Sequence, residues 1–73
     1  MKKVMTALKK QFGFKLKQLR RDRCITQEQL ADMASSSVES ISNIERGIFG
    51  PKFDNLEKLA QVLDIEVKTL FDF

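Results

Sequence analysis

Apolar residues recur at three- and four-residue intervals along almost the whole chain, in runs too short to form a core alone. Val4, Leu8, Phe12, Leu16 and Leu19 keep the spacing of one helical face, with most of the Lys and Arg residues off it. Leu30, Ala31, Met33 and Ala34 supply a second buried side, and Val38, Ile41 and Ile44 a third. Leu56, Leu59, Ala60 and Leu63 make a fourth, and Val67, Leu70 and Phe71 a last, short one. Almost no β-branched runs interrupt, which disfavours sheet. The 73 residues are therefore expected to form one domain, a compact all-α bundle of five helices with short connections. Phe12, Phe14, Phe53 and Phe71 are expected in the core. Phe49 and Phe73 are harder to bury in so small a domain and suggest an interface.

The boundaries carry their own chemistry. The first helix is expected to end near Arg23-Cys24. Thr26-Gln27-Glu28-Gln29 is a capping box: the threonine oxygen takes an orphan N–H at the third helical residue, and Gln29 reaches back to the cap. Ser35-Ser36-Ser37 reads either as a flexible linker or as a tight turn whose last serine caps the next helix. The apolar stripe that resumes straight after it favours the cap, at Ser37. Gly47 stops that stripe as a left-handed residue. Ile48, Phe49, Gly50, Pro51 and Lys52 form a loop, because Pro51 biases Gly50 away from helix. Asp54-Asn55-Leu56-Glu57 reads as another capping box, and Asp64-Ile65-Glu66 breaks the fourth stripe.

Several functions are excluded by composition. A single cysteine, Cys24, and no histidine rule out an internal disulfide, the usual zinc sets and histidine-based catalysis. No enzyme, cofactor or metal is expected, and Cys24 reads as an idle thiol because only Arg23 lies beside it in sequence. No apolar run is long enough to span a membrane and no signal peptide is legible, so a cytoplasmic setting is the default expectation. The net charge of +3 hides an asymmetry: residues 1–23 carry +8 and residues 24–73 carry −5. A basic arm is compatible with a polyanion, although such a run is also what a solvated helix face looks like. Membrane-surface binding would need the apolar side of the first helix, which the core requires.

In order, Gln27, Leu30-Ala31, Ala34, a short turn, Ile41 and Ile44 make a pattern that resembles the helix-turn-helix of the Cro and lambda-type repressor family, also called the XRE family. Leu16-Lys17-Gln18-Leu19-Arg20 before it and Ile41-Ser42-Asn43-Ile44-Glu45-Arg46-Gly47 at its end are similar too. So are Pro51, Leu56, Lys58-Leu59-Ala60 and Leu70-Phe71, so the resemblance runs from about Phe12 to Phe71. The motif lies at about 27–46. Three residues depart from the family's pattern: Ser35 and Cys24 stand where glycine is usual, and Ser36 replaces an apolar residue that packs inside. Ile48, Phe49 and Gly50 replace polar or basic loop residues, leaving Lys52 as the base nearest that loop.

The resemblance implies a sequence-specific regulator of transcription that binds double-stranded DNA as a dimer, similar to restriction-modification controller proteins, phage repressors or small antitoxins. An antitoxin-like adaptor, with another protein as its main partner, is the alternative. The recognition helix would span about 38–46, presenting Val38, Glu39, Ser42 and Asn43 to bases. Asn43 suits adenine, Glu39 cytosine and Val38 a thymine methyl, unless Glu39 only complements the helix dipole. Gln27 opens a helix whose free N–H groups attract phosphate. Thr26 and Ser37 are caps first and phosphate contacts second, and Arg46 and Lys52 are open to phosphate or to solvent. Arg20 and Glu45 would form the family's ion pair between the first and third helices. A dimer is expected through Ile65, Leu70, Phe71 and Phe73.

Overall fold

A computed structural model describes the backbone of residues 3–73 and the side chains of residues 7–73. Four α-helices, α1 (Lys3–Asp22), α2 (Gln27–Met33), α3 (Val38–Glu45) and α4 (Phe53–Leu63), are followed by a 3₁₀-helix, Val67–Phe71. The last segment is thus helical but not α. Its N–H groups bond three residues back, Thr69 to the Glu66 carbonyl at 3.0 Å and Asp72 to that of Thr69 at 3.2 Å. Leu16, Leu30, Ile41, Leu59, Leu63 and Leu70 are fully buried and join every segment in one core. No strand occurs among the described residues.

One device closes all four α-helices. Cys24, Ser35, Gly47 and Asp64 stand just past the helix ends with φ of 56°, 53°, 78° and 58°, the left-handed region. In each case the next residue's N–H turns back to a carbonyl five positions earlier: Ile25 to Arg20, Ser36 to Ala31, Ile48 to Asn43 and Ile65 to Ala60. Orphan helix-end carbonyls are satisfied this way. Only one of the four residues is glycine, so Cys24 and Ser35 carry a steric cost of about 1–2 kcal/mol each. Ser36, expected to pack inside, is only half-buried. Ser35→Gly should raise the thermal midpoint by a few degrees, since relief of that cost exceeds the entropy that glycine adds to the unfolded chain, about 0.4–1 kcal/mol. A midpoint lowered by the substitution would show that the turn is unstrained.

Several apolar residues expected inside lie outside. Phe14 is 62% exposed, because two residues beyond Phe12 is about 200° around the helix. Leu8 is exposed as well: a 20-residue helix is about 30 Å long and outreaches its shorter partners. Met33 is exposed at the end of α2, and Phe53 is 85% exposed at the start of α4. Phe71 stands between these cases, its ring 5.1 Å from that of the buried Phe12 but its other side open. Val4 lies outside the described side chains. The expected cap at Asp54 is also displaced: α4 starts at Phe53, with Lys52 as N-cap and no side-chain capping bond. The Leu56 N–H reaches the Lys52 carbonyl at 3.0 Å, an intrahelical bond that a later start would forfeit. Asp54 instead complements the dipole from the first turn.

Candidate nucleic-acid interface

Two short helices joined by the serine turn present α3 on the surface. Thr26 starts α2 as the sequence predicts, its Oγ1 accepting from the Gln29 N–H at 3.0 Å while Gln29 Oε1 accepts from the Thr26 N–H at 2.8 Å. Ser37 starts α3: its Oγ accepts from the Ser40 N–H at 3.1 Å and donates to the Ser40 hydroxyl at 3.0 Å. Ile41 and Ile44 lock the inner side of α3 into the core. Val38 and Glu39 project exposed from its first turn, and Ser42 and Asn43 follow one turn on, half-buried. These four side chains are on successive turns of an element whose opposite side is fixed.

The far end of α3 is held by charge. Arg20 Nε donates to Glu45 Oε2 at 2.7 Å and Arg20 Nη2 to Glu45 Oε1 at 3.1 Å, a bidentate pair. Arg20 is 7% exposed and Glu45 8%, so the pair is buried rather than half-open. Arg20 Nη1 also donates to the Ile25 carbonyl at 2.7 Å, tying in the α1–α2 connection. With Glu45 neutralised by its partner, Glu39 is the carboxylate of α3 that remains exposed. Sequence reasoning missed two further bonds. Gln27 Nε2 donates to Glu45 Oε1 at 3.0 Å, and Arg23 Nε donates to the Leu63 carbonyl at 2.7 Å, bracing the end of α4. Both link residues far apart in sequence, for which spacing provides no signal.

Arg46 and Lys52 are exposed cations on either side of the loop that follows α3. That loop, α3 and α4 form a cleft lined by Ser40, Phe49, Lys52, Asn55 and Lys58. A second, more apolar groove is lined by Phe53, Asp54, Leu56, Glu57, Val67 and Phe71. Among the residues expected at a dimer contact, Phe71 and Phe73 are exposed with ring centroids 6.4 Å apart, and Ile65 is half-buried. Leu70 is not available there, because it is wholly enclosed in the protomer's core. Phe53 and Val67 offer the apolar surface that Leu70 does not. Among the described residues no cluster of ligating side chains suits a metal ion, and no helix is long and apolar enough to cross a membrane.

Two helices joined by a tight turn, the second carrying the exposed polar side chains, make a helix-turn-helix. A family model described as helix-turn-helix matches residues 16–70. The control protein C.BamHI of Bacillus amyloliquefaciens is 38% identical over 63 residues, covering 85% of this chain and 78% of that protein. The immunity repressor of Bacillus phage phi105 is 36% identical over 58 residues, 80% of this chain and 40% of the repressor. Among solved structures, the restriction-modification controller protein C.AhdI from Aeromonas hydrophila superposes with a TM-score of 0.83 at 35% identity, covering 85% of this chain and 94% of that one. The chain belongs to the helix-turn-helix family of the Cro and lambda-type repressors, the XRE type.

Proposed function

We propose that the chain, acting as a single helix-turn-helix domain over residues 1–73, is a DNA-binding transcriptional regulator that reads an operator as a dimer. The observation that carries this reading is α3 itself, fixed at both ends and along its inner side, with Val38, Glu39, Ser42 and Asn43 outward. Such a helix fits the major groove, where side chains meet the donor and acceptor pattern of base edges. Asn43 is assigned to adenine, Glu39 to a cytosine amino group and Val38 to a thymine methyl. α3 carries no Arg or Lys, so the bidentate reading of guanine by a cation is absent from this helix. Phosphate contacts are assigned to Arg46 and Lys52, with Thr26 and Ser37 contributing near their caps. The similarity to controller proteins and to a phage repressor supports a regulatory role.

Base and phosphate contacts separate under mutation. Glu39→Gln removes a charge of the wrong sign for DNA, so binding to random duplex should rise slightly while about 1–3 kcal/mol of discrimination is lost at one base pair. Lys52→Ala should weaken every sequence alike and reduce the salt dependence by about one ion, because a phosphate contact carries no sequence information. Competition over single-base operator variants at fixed salt distinguishes the two. If both substitutions shift all variants by one common factor, Glu39 reads no base.

The dimer is assigned to the surface around the 3₁₀-helix, through the groove residues Phe53, Val67 and Phe71 together with Phe73 and the half-buried Ile65 outside the groove. A two-fold contact there sets two recognition helices against half-sites roughly 34 Å apart, one turn of duplex. Phe53→Ser should leave the protomer folded, since the ring touches little of it, and weaken self-association and operator binding together. Sedimentation profiles identical to wild type at tens of micromolar would remove Phe53 from the interface.

A further inference from the structure

We infer that the overhanging end of α1 is part of the dimer interface: Leu8 of one protomer seats in the groove between α4 and the 3₁₀-helix of a second copy, with Lys9 and Lys15 toward that groove's acidic rim. The inference rests on the dimer in the reading above. It adds an element that lies ahead of the segment shared with the family, residues 16–70. Leu8 stands one turn before Phe12, on the face of α1 that Phe12, Leu16 and Leu19 bury in the core, yet it is 45% exposed. An exposed leucine by itself needs no partner. Leu8 is not isolated, however. The Phe12 ring lies 5.1 Å from that of Phe71, and Phe71 lies 6.4 Å from Phe73 and lines the groove with Phe53 and Val67. Apolar surface thus runs from the end of α1 to the start of α4, and a continuous patch of this kind marks a contact.

Charge and symmetry identify the occupant as a second copy. The groove carries Asp54 and Glu57, and among the described residues neither forms an ion pair within its own protomer. Beside Leu8 stand Lys9, exposed, and Lys15, half-buried one turn beyond Phe12; among the described residues these too form no ion pair. An apolar side chain flanked by cations therefore matches an apolar groove flanked by carboxylates. Phe71 touches the α1 side through Phe12 and the α4 side through the groove, so it lies between Leu8 and Phe53. A two-fold axis passing beside Phe71 reverses this order on the partner. Each Leu8 is then set over the partner's Phe53 and Val67, and the contact is made twice.

Sedimentation equilibrium of the whole chain tests the contact. Leu8→Ser should keep the helical circular dichroism spectrum, because the side chain is half-exposed in the protomer, and weaken self-association about tenfold. Phe53→Ser should weaken it too. The double substitution should weaken it no further than the stronger single one, since the two side chains meet each other. A wild-type dissociation constant for Leu8→Ser, or losses that simply add, overturns the inference and leaves the dimer reading standing. A covalent test covers the case in which a serine variant does not fold. In a Cys24→Ser background, chains carrying Leu8→Cys are mixed with chains carrying Phe53→Cys and mildly oxidised. The mixed disulfide should form in preference to either symmetric one. Symmetric disulfides alone, or none, overturn the inference. A wild type that stays monomeric at tens of micromolar is a different failure: it removes the dimer reading and the inference with it, and leaves the groove to another protein.

Discussion

Arg20→Ala is expected to destabilise the fold by about 3–5 kcal/mol, the cost of leaving one member of a buried ion pair without the other. Glu45 would keep only the Gln27 amide as a donor while remaining shielded from water, and the Ile25 carbonyl would lose its donor too. Small domains hold only about 5–15 kcal/mol in all. Each kcal/mol moves the thermal midpoint by about 4–8 °C at this size, so the loss amounts to tens of degrees. Circular dichroism melts of wild type and variant measure it directly. The double substitution Arg20→Met with Glu45→Leu should be much milder, because no charge is then left buried. Equal midpoints for wild type and Arg20→Ala would show that the pair contributes nothing.

Gly13→Ala is expected to go against helix propensity. In an ordinary helix interior the change gains about 0.5–1 kcal/mol. A β-carbon at Gly13, however, would overlap the Ile44 carbonyl oxygen and lie 2.7 Å from that of Glu45. Both obstacles are backbone, which cannot rotate away. α1 would have to lift off the end of α3, weakening the Arg20–Glu45 pair about two turns further along. We expect a net loss of about 1–3 kcal/mol, in the range of overpacked cores. Hydrogen exchange should show the α1–α3 contact opening first. A variant more stable than wild type would mean that α1 does not lie so close to α3.

Local chemistry was legible in the sequence; direction and distance were less so. Thr26 and Ser37 fall where their side chains predict, because a cap is settled within three residues. Gly47 was legible for the same reason, while Asp64 was not, since an aspartate in left-handed conformation looks like any acidic residue breaking a stripe. Apolar character said that Phe14 and Phe53 are hydrophobic but not which way they face. Phe14 is off the stripe of α1 by its position, a signal that was present and outweighed by the residue type. Phe53 is exposed because α4 begins there, and that start depends on a backbone bond from Lys52 rather than on the acid that resembles a cap. The Arg20–Glu45 pair is legible only through the family resemblance, since nothing in local spacing joins residues 25 apart. The Gln27–Glu45 bond had no such precedent in the sequence and needed the packed helices.

Selection of bound sequences from a random duplex pool shows whether α3 reads DNA by its sequence. The protein, at physiological salt and with no partner present, is incubated with the pool and the retained duplexes are sequenced over successive rounds. We expect enrichment of one symmetric site with half-sites about one helical turn apart, and loss of its adenine preference with Asn43→Ala. A pool that stays random, or one whose enriched site is unchanged by Asn43→Ala and Glu39→Gln, would mean that α3 reads no bases and favour a module whose partner is another protein.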